Sequence, residues 1–320
     1  MTDKIKSTMR IISFVLVFSV ALSTLSQTVF SSENVGKTSG KLADAFSFLD
    51  EPDDSINVVA LGNSNMYSGF VPISLWDSCG YTSIVSSAAH QTPLECKMLL
   101  EQILESQNPG LVILETDMLY DGGVNKSDGG FFSQLYNDFE NYIATGFSMF
   151  EFHNAWKSIL NSDRSHQYSH GYYFNNDVEY NDASGYMMYN EELEMPNERV
   201  YSQFVELVEY CREKGMQVMM IEMPSLNSWN YARHNAVSEI ARSLNIEFLD
   251  ANLLYDEMNV DLSYAFRDKG YHLNYDSASR LTQYVGDFIK EYYDIPLCKD
   301  DIADYWNEES FLFKEYYEIY

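Results

Sequence analysis

The chain has 320 residues, enough for one large domain or two smaller ones. It carries 48 acidic and 20 basic residues, for a formal net charge of −28. Such an acidic surface repels phosphates, and no basic stripe interrupts it, so nucleic acid is not an expected partner. The charge also disfavours electrostatic binding to anionic lipid and indicates solubility in an extracellular or salty setting.

The first residues differ in composition from the rest of the chain. Three basic residues precede an uncharged run over residues 11–32: Lys4, Lys6 and Arg10. This order is typical of a secretory signal or a membrane anchor. The run just reaches the ~20 residues that a membrane-crossing helix needs, although residues 23–28 are mostly polar. We predict a single-pass anchor over residues 1–32, with the domain outside the cytoplasm; a cleaved signal and a secreted enzyme are the alternative.

The middle of the chain alternates between strand-like and helix-like patterns. Residues 33–55 are polar, contain glycine and proline, and are predicted to form a linker. Five short apolar runs within residues 56–297 are predicted strands: 56–61, 81–85, 111–115, 217–222 and 246–250. Helices between consecutive strands require parallel strands covered on both faces. The pattern therefore predicts an α/β fold, a three-layer α/β/α sandwich with a parallel sheet and an N-terminal hydrophobic helix.

Two segments depart from this alternation. Residues 120–195 are rich in Tyr, Asn, Asp and Gly, with a helix-like stretch near 139–160. We predict that they form an insertion that lies over the edge of the sheet as a lid or a substrate wall. Residues 298–320 form an acidic, aromatic C-terminal tail that is predicted to dock on the domain.

The cysteines bear on redox state and on metal binding. There are four of them: Cys79, Cys96, Cys211 and Cys298. No C-x-x-C spacing is present, so no zinc site and no cofactor are expected. Cys79 and Cys96 could form a disulfide in an exported chain, but four buried thiols are the favoured interpretation.

A serine and a histidine stand at the positions where chemistry is expected. Ser64 follows the first predicted strand, and His272 follows the fifth. In open parallel sheets, ligands bind beyond the carboxyl ends of the strands, so both residues are expected at the same edge. A histidine with a nearby acid can act as the base for a serine nucleophile. Ser64 could instead only hydrogen-bond its own turn; with His272 in this place we favour the nucleophile.

The two motifs resemble blocks of a known superfamily. The turn Gly62-Asn63-Ser64-Asn65 is similar to the first block of the SGNH/GDSL hydrolases, and His272-Leu273-Asn274 is similar to their late block. A membrane-anchored branch related to the D-alanyl-lipoteichoic acid biosynthesis protein DltD also resembles the chain in its hydrophobic N-terminus and in Gln91-Thr92. The resemblance covers residues 10–117 and 200–292 and leaves the insertion out.

The resemblance implies a role for each member of a triad. Ser64 would attack an acyl carbonyl, and His272 would take the serine proton and return it to the leaving group. The acid that holds the imidazole usually lies three residues before the histidine, where this chain has Lys269. Asp268, four residues before it, is the candidate acid.

The resemblance also implies an oxyanion hole, which departs further from the family pattern. The superfamily uses the serine N–H, a glycine after the second strand and an asparagine after the third. Ser87 or Ala88 stands near the glycine position, and Asp117 follows the third strand, where its carboxylate would oppose a developing negative charge. The side-chain amides of Asn65 and Gln91 could replace the asparagine that is missing after the third strand.

We therefore expect an extracytoplasmic acyltransferase or esterase that acts on a cell-surface glycan or polymer through an acyl-Ser64 intermediate. The resemblance implies a membrane-bound O-acyltransferase as a possible partner. The alternative is a catalytically inactive protein of the same fold that binds a glycan or a partner. The departures at Asn65, Asp117 and Lys269 favour that alternative.

Overall fold

The computed structural model describes three stretches of the chain: residues 3–28, 44–121 and 168–319. The chain divides into two units: residues 1–43 with 125–165, and residues 44–124 with 166–320. In the first unit the described residues form helix α1, Asp3–Thr28. Among the described helices none is both long and apolar enough to cross a membrane. The predicted anchor over residues 1–32 is therefore not confirmed.

The second unit is built around a sheet of five parallel strands. They are β1 Val58–Gly62, β2 Ser83–Ser87, β3 Leu111–Glu115, β4 Gln217–Glu222 and β5 Glu247–Asp250. Every residue of β1, β2 and β3 is buried, which explains why these strands are continuous apolar or small-residue runs without a polar face. The predicted α/β fold with a parallel sheet is confirmed.

Helices pack against this sheet in two groups. They are α2 Ser64–Gly69, α3 Pro72–Cys79, α4 Pro93–Ile103, α5 Met118–Asp121, α6 Glu198–Glu213, α7 Tyr231–Leu244, α8 Tyr275–Tyr292 and α9 Asp300–Tyr316. Helices α3, α8 and α9 contact one another, whereas α4 contacts α6. Two groups of helices around one parallel sheet are the arrangement that the sequence predicts.

The strand order reverses beside β1. The order across the sheet is β2-β1-β3-β4-β5, so the chain leaves β1 toward β2 and then returns to the other side of β1. Ligands in such sheets bind where the order reverses, beyond the carboxyl ends of the strands. Ser64 begins α2 directly after β1. The Asn274 side chain accepts the Ser277 N–H at 3.1 Å and caps the N-terminus of α8. His272 therefore lies two residues before a helix start that this cap fixes.

The predicted end of the linker differs from the structure. Residues 44–55 were expected in the linker, but Asp44–Asp50 forms a short 3-10 helix whose Phe46 and Phe48 are fully buried. Phenylalanine burial stabilises the folded unit and outweighs the polar composition of this segment. In the C-terminal tail, Trp306 and Phe313 on α9 are fully buried, so the tail packs as part of the unit.

The described end of the insertion also packs on the unit. The His170 ring stacks on Trp306 at 4.1 Å between ring centroids, and its Nδ1 lies 2.6 Å from Glu51 Oε1. These contacts join the insertion, the short 3-10 helix and α9 into one cluster. The predicted helix near 139–160 lies outside the described residues. All four cysteines are free thiols, so Cys79 and Cys96 form no disulfide.

Candidate active site

Three side chains from the two ends of the folded unit form a hydrogen-bonded chain. His272 Nε2 lies 3.0 Å from Ser64 Oγ, and His272 Nδ1 lies 2.6 Å from Asp268 Oδ2. The side chains of His272 and Asp268 are 24% and 35% exposed, so these three hydrogen-bonded side chains are accessible to solvent. The arrangement matches the geometry in which an oriented imidazole activates a serine hydroxyl.

Ser64 is fixed by the turn between β1 and α2. The Asn63 side chain caps α2 by accepting the Asn65 N–H at 2.9 Å, while the Asn63 N–H donates to Glu115 Oε2 at 2.7 Å. A Cβ atom on Gly62 would lie 2.4 Å from the same Glu115 oxygen. Glycine at 62 therefore allows Glu115 to approach the backbone and hold the turn that carries the serine.

His272 and Asp268 belong to one tight loop, which we call the catalytic loop and define as residues 268–272. Asp268 Oδ1 accepts the N–H groups of Tyr271 and His272, each at 2.9 Å. Gly270 has a φ of +84°, and its N–H donates to the Asp268 carbonyl. This left-handed turn takes up the extra residue between acid and histidine. The side chain at the usual family position, Lys269, is exposed.

The loop also sets the charge of Asp268. Partial burial raises the pKa of this carboxyl, but the His272 amide, the His272 imidazole and the Tyr271 amide together lower it below its ordinary value. The carboxylate is thus available to hold the Nδ1 proton of His272 throughout the neutral range. Its contribution to folding is present above its ordinary pKa and is lost as pH falls through the lowered pKa.

The predicted oxyanion residues have different surroundings. Ser87 and Ala88 are buried at the carboxyl end of β2, where Ser87 pairs in register with Gly62. The Asn65 amide donates to Asp117 Oδ2 at 3.3 Å. Gln91 is not in a position to serve, because its Nε2 donates to the Ser86 carbonyl at 3.0 Å and to a cysteine sulfur. The prediction for Gln91 is therefore wrong: its donors stabilise the turn after β2.

A cluster of buried acids lies behind the serine. Glu115, Asp117 and Glu222, at or just beyond the ends of β3 and β4, are each at most 2% exposed. Asp117 Oδ2 also accepts from Asn63 Nδ2 at 2.9 Å, and its other oxygen lies 3.8 Å from an Arg233 nitrogen. These bonds give Asp117 a positioning role for the amides beside Ser64. Within the described ranges no three His, Cys, Asp or Glu side chains are grouped to hold a metal ion.

The sequence pattern did not assign Asn63, Glu115 or Glu222 to the site. The signal was present, because both β3 and β4 end in glutamate after a wholly apolar run. Burial, followed by the nearby Asp117 and Glu115 carboxylates, raises the pKa of Glu222 well above its ordinary value. Thr116 Oγ1 donates to Glu222 at 2.6 Å, a bond that opposes this rise but does not reverse it.

Replacing Glu222 with glutamine is expected to make stability less dependent on pH. The folded protein keeps a proton on Glu222 that the unfolded chain releases, because the folded-state pKa is raised. Above a carboxyl's ordinary pKa of about 4.3 and below that raised value, the wild-type free energy of unfolding falls by about 1.4 kcal/mol per pH unit. The variant lacks this loss, so its advantage in urea unfolding should grow as the pH rises above the ordinary carboxyl pKa.

Glu239→Gln on the exposed side of α7 is the matched control for this experiment. It makes the same chemical change at a solvent-exposed carboxyl, so its stability should follow the wild type at every pH measured. An advantage of Glu222→Gln that is constant with pH contradicts a protonated Glu222.

No protein-family model matches the sequence. No curated protein matches it either. The chain is similar to solved structures, among them a protein from Desulfitobacterium hafniense described as lipolytic and of the G-D-S-L family, with a TM-score of 0.43 and 13% identity over 72% of this chain and 98% of that one. A Bacteroides fragilis protein described as an acylhydrolase has a TM-score of 0.39 and 14% identity, over 77% of this chain and 94% of that one. The acetyl xylan esterase AlAXEase has a TM-score of 0.37 and 14% identity, over 74% of this chain and 98% of that one.

Proposed function

We propose that this protein is a serine-dependent esterase or acyltransferase that works through an acyl-Ser64 intermediate. The observation that carries the proposal is the hydrogen-bonded chain from Ser64 through His272 to Asp268. In the first step His272 Nε2 takes the proton of Ser64 as the oxygen attacks an acyl carbonyl. The imidazolium then protonates the departing alkoxide as the tetrahedral intermediate collapses to the acyl-enzyme.

In the second step a hydroxyl nucleophile removes the acyl group. His272 takes a proton from water in hydrolysis, or from an acceptor hydroxyl in transfer, and the new tetrahedral intermediate releases Ser64. Asp268 keeps the Nδ1 proton in place during both steps, so Nε2 alternates between base and acid. The same geometry serves both reactions, and the difference lies in which hydroxyl reaches the acyl-enzyme first.

The negative oxygen of each intermediate needs hydrogen-bond donors. We propose that the Ser64 and Ala88 N–H groups supply them, since the Asn65 amide nitrogen already donates to Asp117 Oδ2 and Ser228 Oγ. Ser64 is the first residue of α2, where N–H groups have no acceptor inside the helix. Asp117 holds the Asn65 amide on the same turn, and the nearby Arg233 offsets the Asp117 charge. Both contacts reduce, without removing, the repulsion between the Asp117 carboxylate and a developing negative charge.

We further propose an extracytoplasmic setting and an acyl group carried on a cell-surface polymer. The basic residues followed by an uncharged run at the N-terminus support export. Partly exposed aromatic side chains near the catalytic loop, such as Tyr271 at 48% exposure, suit a sugar face. A membrane-bound O-acyltransferase as the acyl donor would make the transfer reaction the physiological one.

Labelling with a fluorophosphonate probe tests the proposed function. The probe phosphonylates an activated serine, so the peptide that contains Ser64 should gain the mass of the adduct in the folded protein. His272→Ala should abolish the adduct, because the serine then lacks its base. His234→Ala, whose imidazole pairs with Asp250 and not with a triad member, is the matched control that should still label. Folded wild-type protein that forms no adduct at Ser64 contradicts the proposal.

The buried carboxylates beside the turn favour a second candidate, a binding protein that keeps this fold without turnover. Glu115 and Asp117 lie close to where a negative oxygen would form, and their charges disfavour it. That protein would hold an intact polymer at the same site. A folded wild type that binds a glycan and forms no fluorophosphonate adduct would identify it.

A further inference from the structure

One face of α2 continues the site away from the triad. Of the six residues of α2, only Ser64 and Tyr67 are partly exposed, and the other four are buried. Residues three apart lie on the same side of a helix, so Tyr67 stands beside the nucleophile on the surface that a substrate meets. The Tyr67 ring lies 6.2 Å from the ring of Tyr173, which is 49% exposed.

A guanidinium group completes this surface. Arg267 lies over the Tyr173 ring at 4.6 Å from its centroid. Its Nη2 donates to Ser68 Oγ at 2.9 Å, and Nη1 donates to the Tyr173 carbonyl at 3.3 Å. Ser68 lies one helical turn beyond Ser64, a rise of about 6 Å along α2. The Arg267 N–H also donates to the His272 carbonyl at 3.0 Å, so Arg267 is bonded both to α2, which carries the serine, and to the loop that carries the histidine.

Among the described residues, no acidic side chain neutralises the charge of Arg267. No carboxylate in the described part of the second unit forms an ion pair with it, although the chain carries 48 acidic residues against 20 basic ones. The neighbouring Asp268 uses both oxygens on the catalytic loop. A guanidinium has five N–H donors, and Arg267 uses two of them in the bonds described above.

We propose that Tyr67, Tyr173 and Arg267 form a subsite for an acidic sugar unit of the substrate, next to the ester that Ser64 attacks. The inference rests on the proposed function and names its substrate class. The tyrosine rings pack against a sugar face, and the guanidinium binds an oxyanion with paired, charge-assisted hydrogen bonds. Carboxylate and phosphate groups can both accept such hydrogen bonds from a guanidinium. Three sugar esters that differ only at carbon 6 show which of the two groups the subsite binds.

The first test compares kcat/KM for acetylated glucose, acetylated glucuronate and acetylated glucose 6-phosphate. The wild type should prefer the acidic esters to the neutral one. Preference for glucuronate alone identifies a carboxylate, and equal preference identifies any oxyanion. Arg267→Gln should reduce the preference by about 10- to 100-fold, the effect of losing charge-assisted hydrogen bonds. Arg267→Lys should retain part of it, because a lysine keeps the charge but not the planar fork.

Arg242→Gln, in the last turn of α7, is the matched control and should leave the preference unchanged. Tyr173→Ala keeps the test decisive if Arg267→Gln does not fold, because Tyr173 is half exposed and its loss should weaken binding of every sugar. A wild type without preference for acidic esters, or an Arg267→Gln variant that keeps the preference, overturns the subsite.

Binding measurements separate this inference from the proposed function. Calorimetry with the Ser64→Ala protein and an unacetylated oligogalacturonate needs no catalysis. The subsite is supported if the acidic oligosaccharide binds, a neutral one of equal length does not, and Arg267→Gln abolishes the binding. This result would hold even if fluorophosphonate labelling fails. Labelling at Ser64 without such binding leaves an esterase and removes the acidic subsite.

Discussion

Replacing Ser64 with alanine is expected to lower kcat/KM for 4-nitrophenyl acetate by about 10⁴-fold or more. The hydroxyl is the group that becomes acylated, and no other atom on α2 can take its place 3.0 Å from His272 Nε2. The fold should survive, because the change removes one oxygen from a partly exposed side chain. A continuous assay of 4-nitrophenolate release, corrected for background hydrolysis, measures the loss.

The matched control for this experiment is Ser243→Ala. Ser243 lies in the last turn of α7 and only donates to the Ile240 carbonyl at 2.8 Å, so its loss should leave turnover unchanged. Thermal unfolding of both variants shows whether each is folded. If the Ser64→Ala variant hydrolyses the ester as fast as the wild type does, an acyl-Ser64 intermediate is ruled out.

Replacing Asp268 with asparagine should lower kcat by about 10²- to 10⁴-fold while leaving the loop folded. The asparagine oxygen can still accept the N–H groups of Tyr271 and His272. Its NH₂ group then faces His272 Nδ1, which must act as an acceptor. The imidazole proton is forced onto Nε2, and that nitrogen can no longer take the serine proton. Steady-state kinetics with the same ester measure the effect.

Two further variants decide which residue is the acid. Lys269→Ala removes the exposed side chain at the usual family position and should leave kcat unchanged. The exchange Asp268→Ala with Lys269→Asp places a carboxylate at that position and should not restore activity, because the Gly270 turn aims residue 268 at the imidazole. Loss of activity in Lys269→Ala, with Asp268→Asn fully active, contradicts the assignment.

The parallel sheet could be predicted because its strands are short apolar runs separated by helical patterns. The helix α3 was not predicted, although Pro72 at its first position is a signal typical of a helix start. The short 3-10 helix at Asp44–Asp50 was hidden by the glycine and acidic composition around it. Its two phenylalanines were the available signal, and they anchor the segment in the core.

The members of the candidate triad could be chosen from sequence, but their geometry could not. The spacing of Asp268 departs from the family pattern, and only the backbone conformation at Gly270 explains why it still reaches His272. The direction of a side chain is likewise invisible in a sequence, which is why Gln91 was assigned to the oxyanion hole. Arg267 was missed because neighbouring charges, which no motif records, decide its role.

The separation of the nucleophile from its base has a consequence for biogenesis. Ser64 and His272 are 208 positions apart, and β1 must pair with β3 before the late segment can close over it. Contacts over such distances form late and slowly. An incompletely folded chain therefore carries an inert Ser64 hydroxyl, because the imidazole that would activate it is not yet in place. Acquisition of fluorophosphonate reactivity during refolding would report completion of the entire unit.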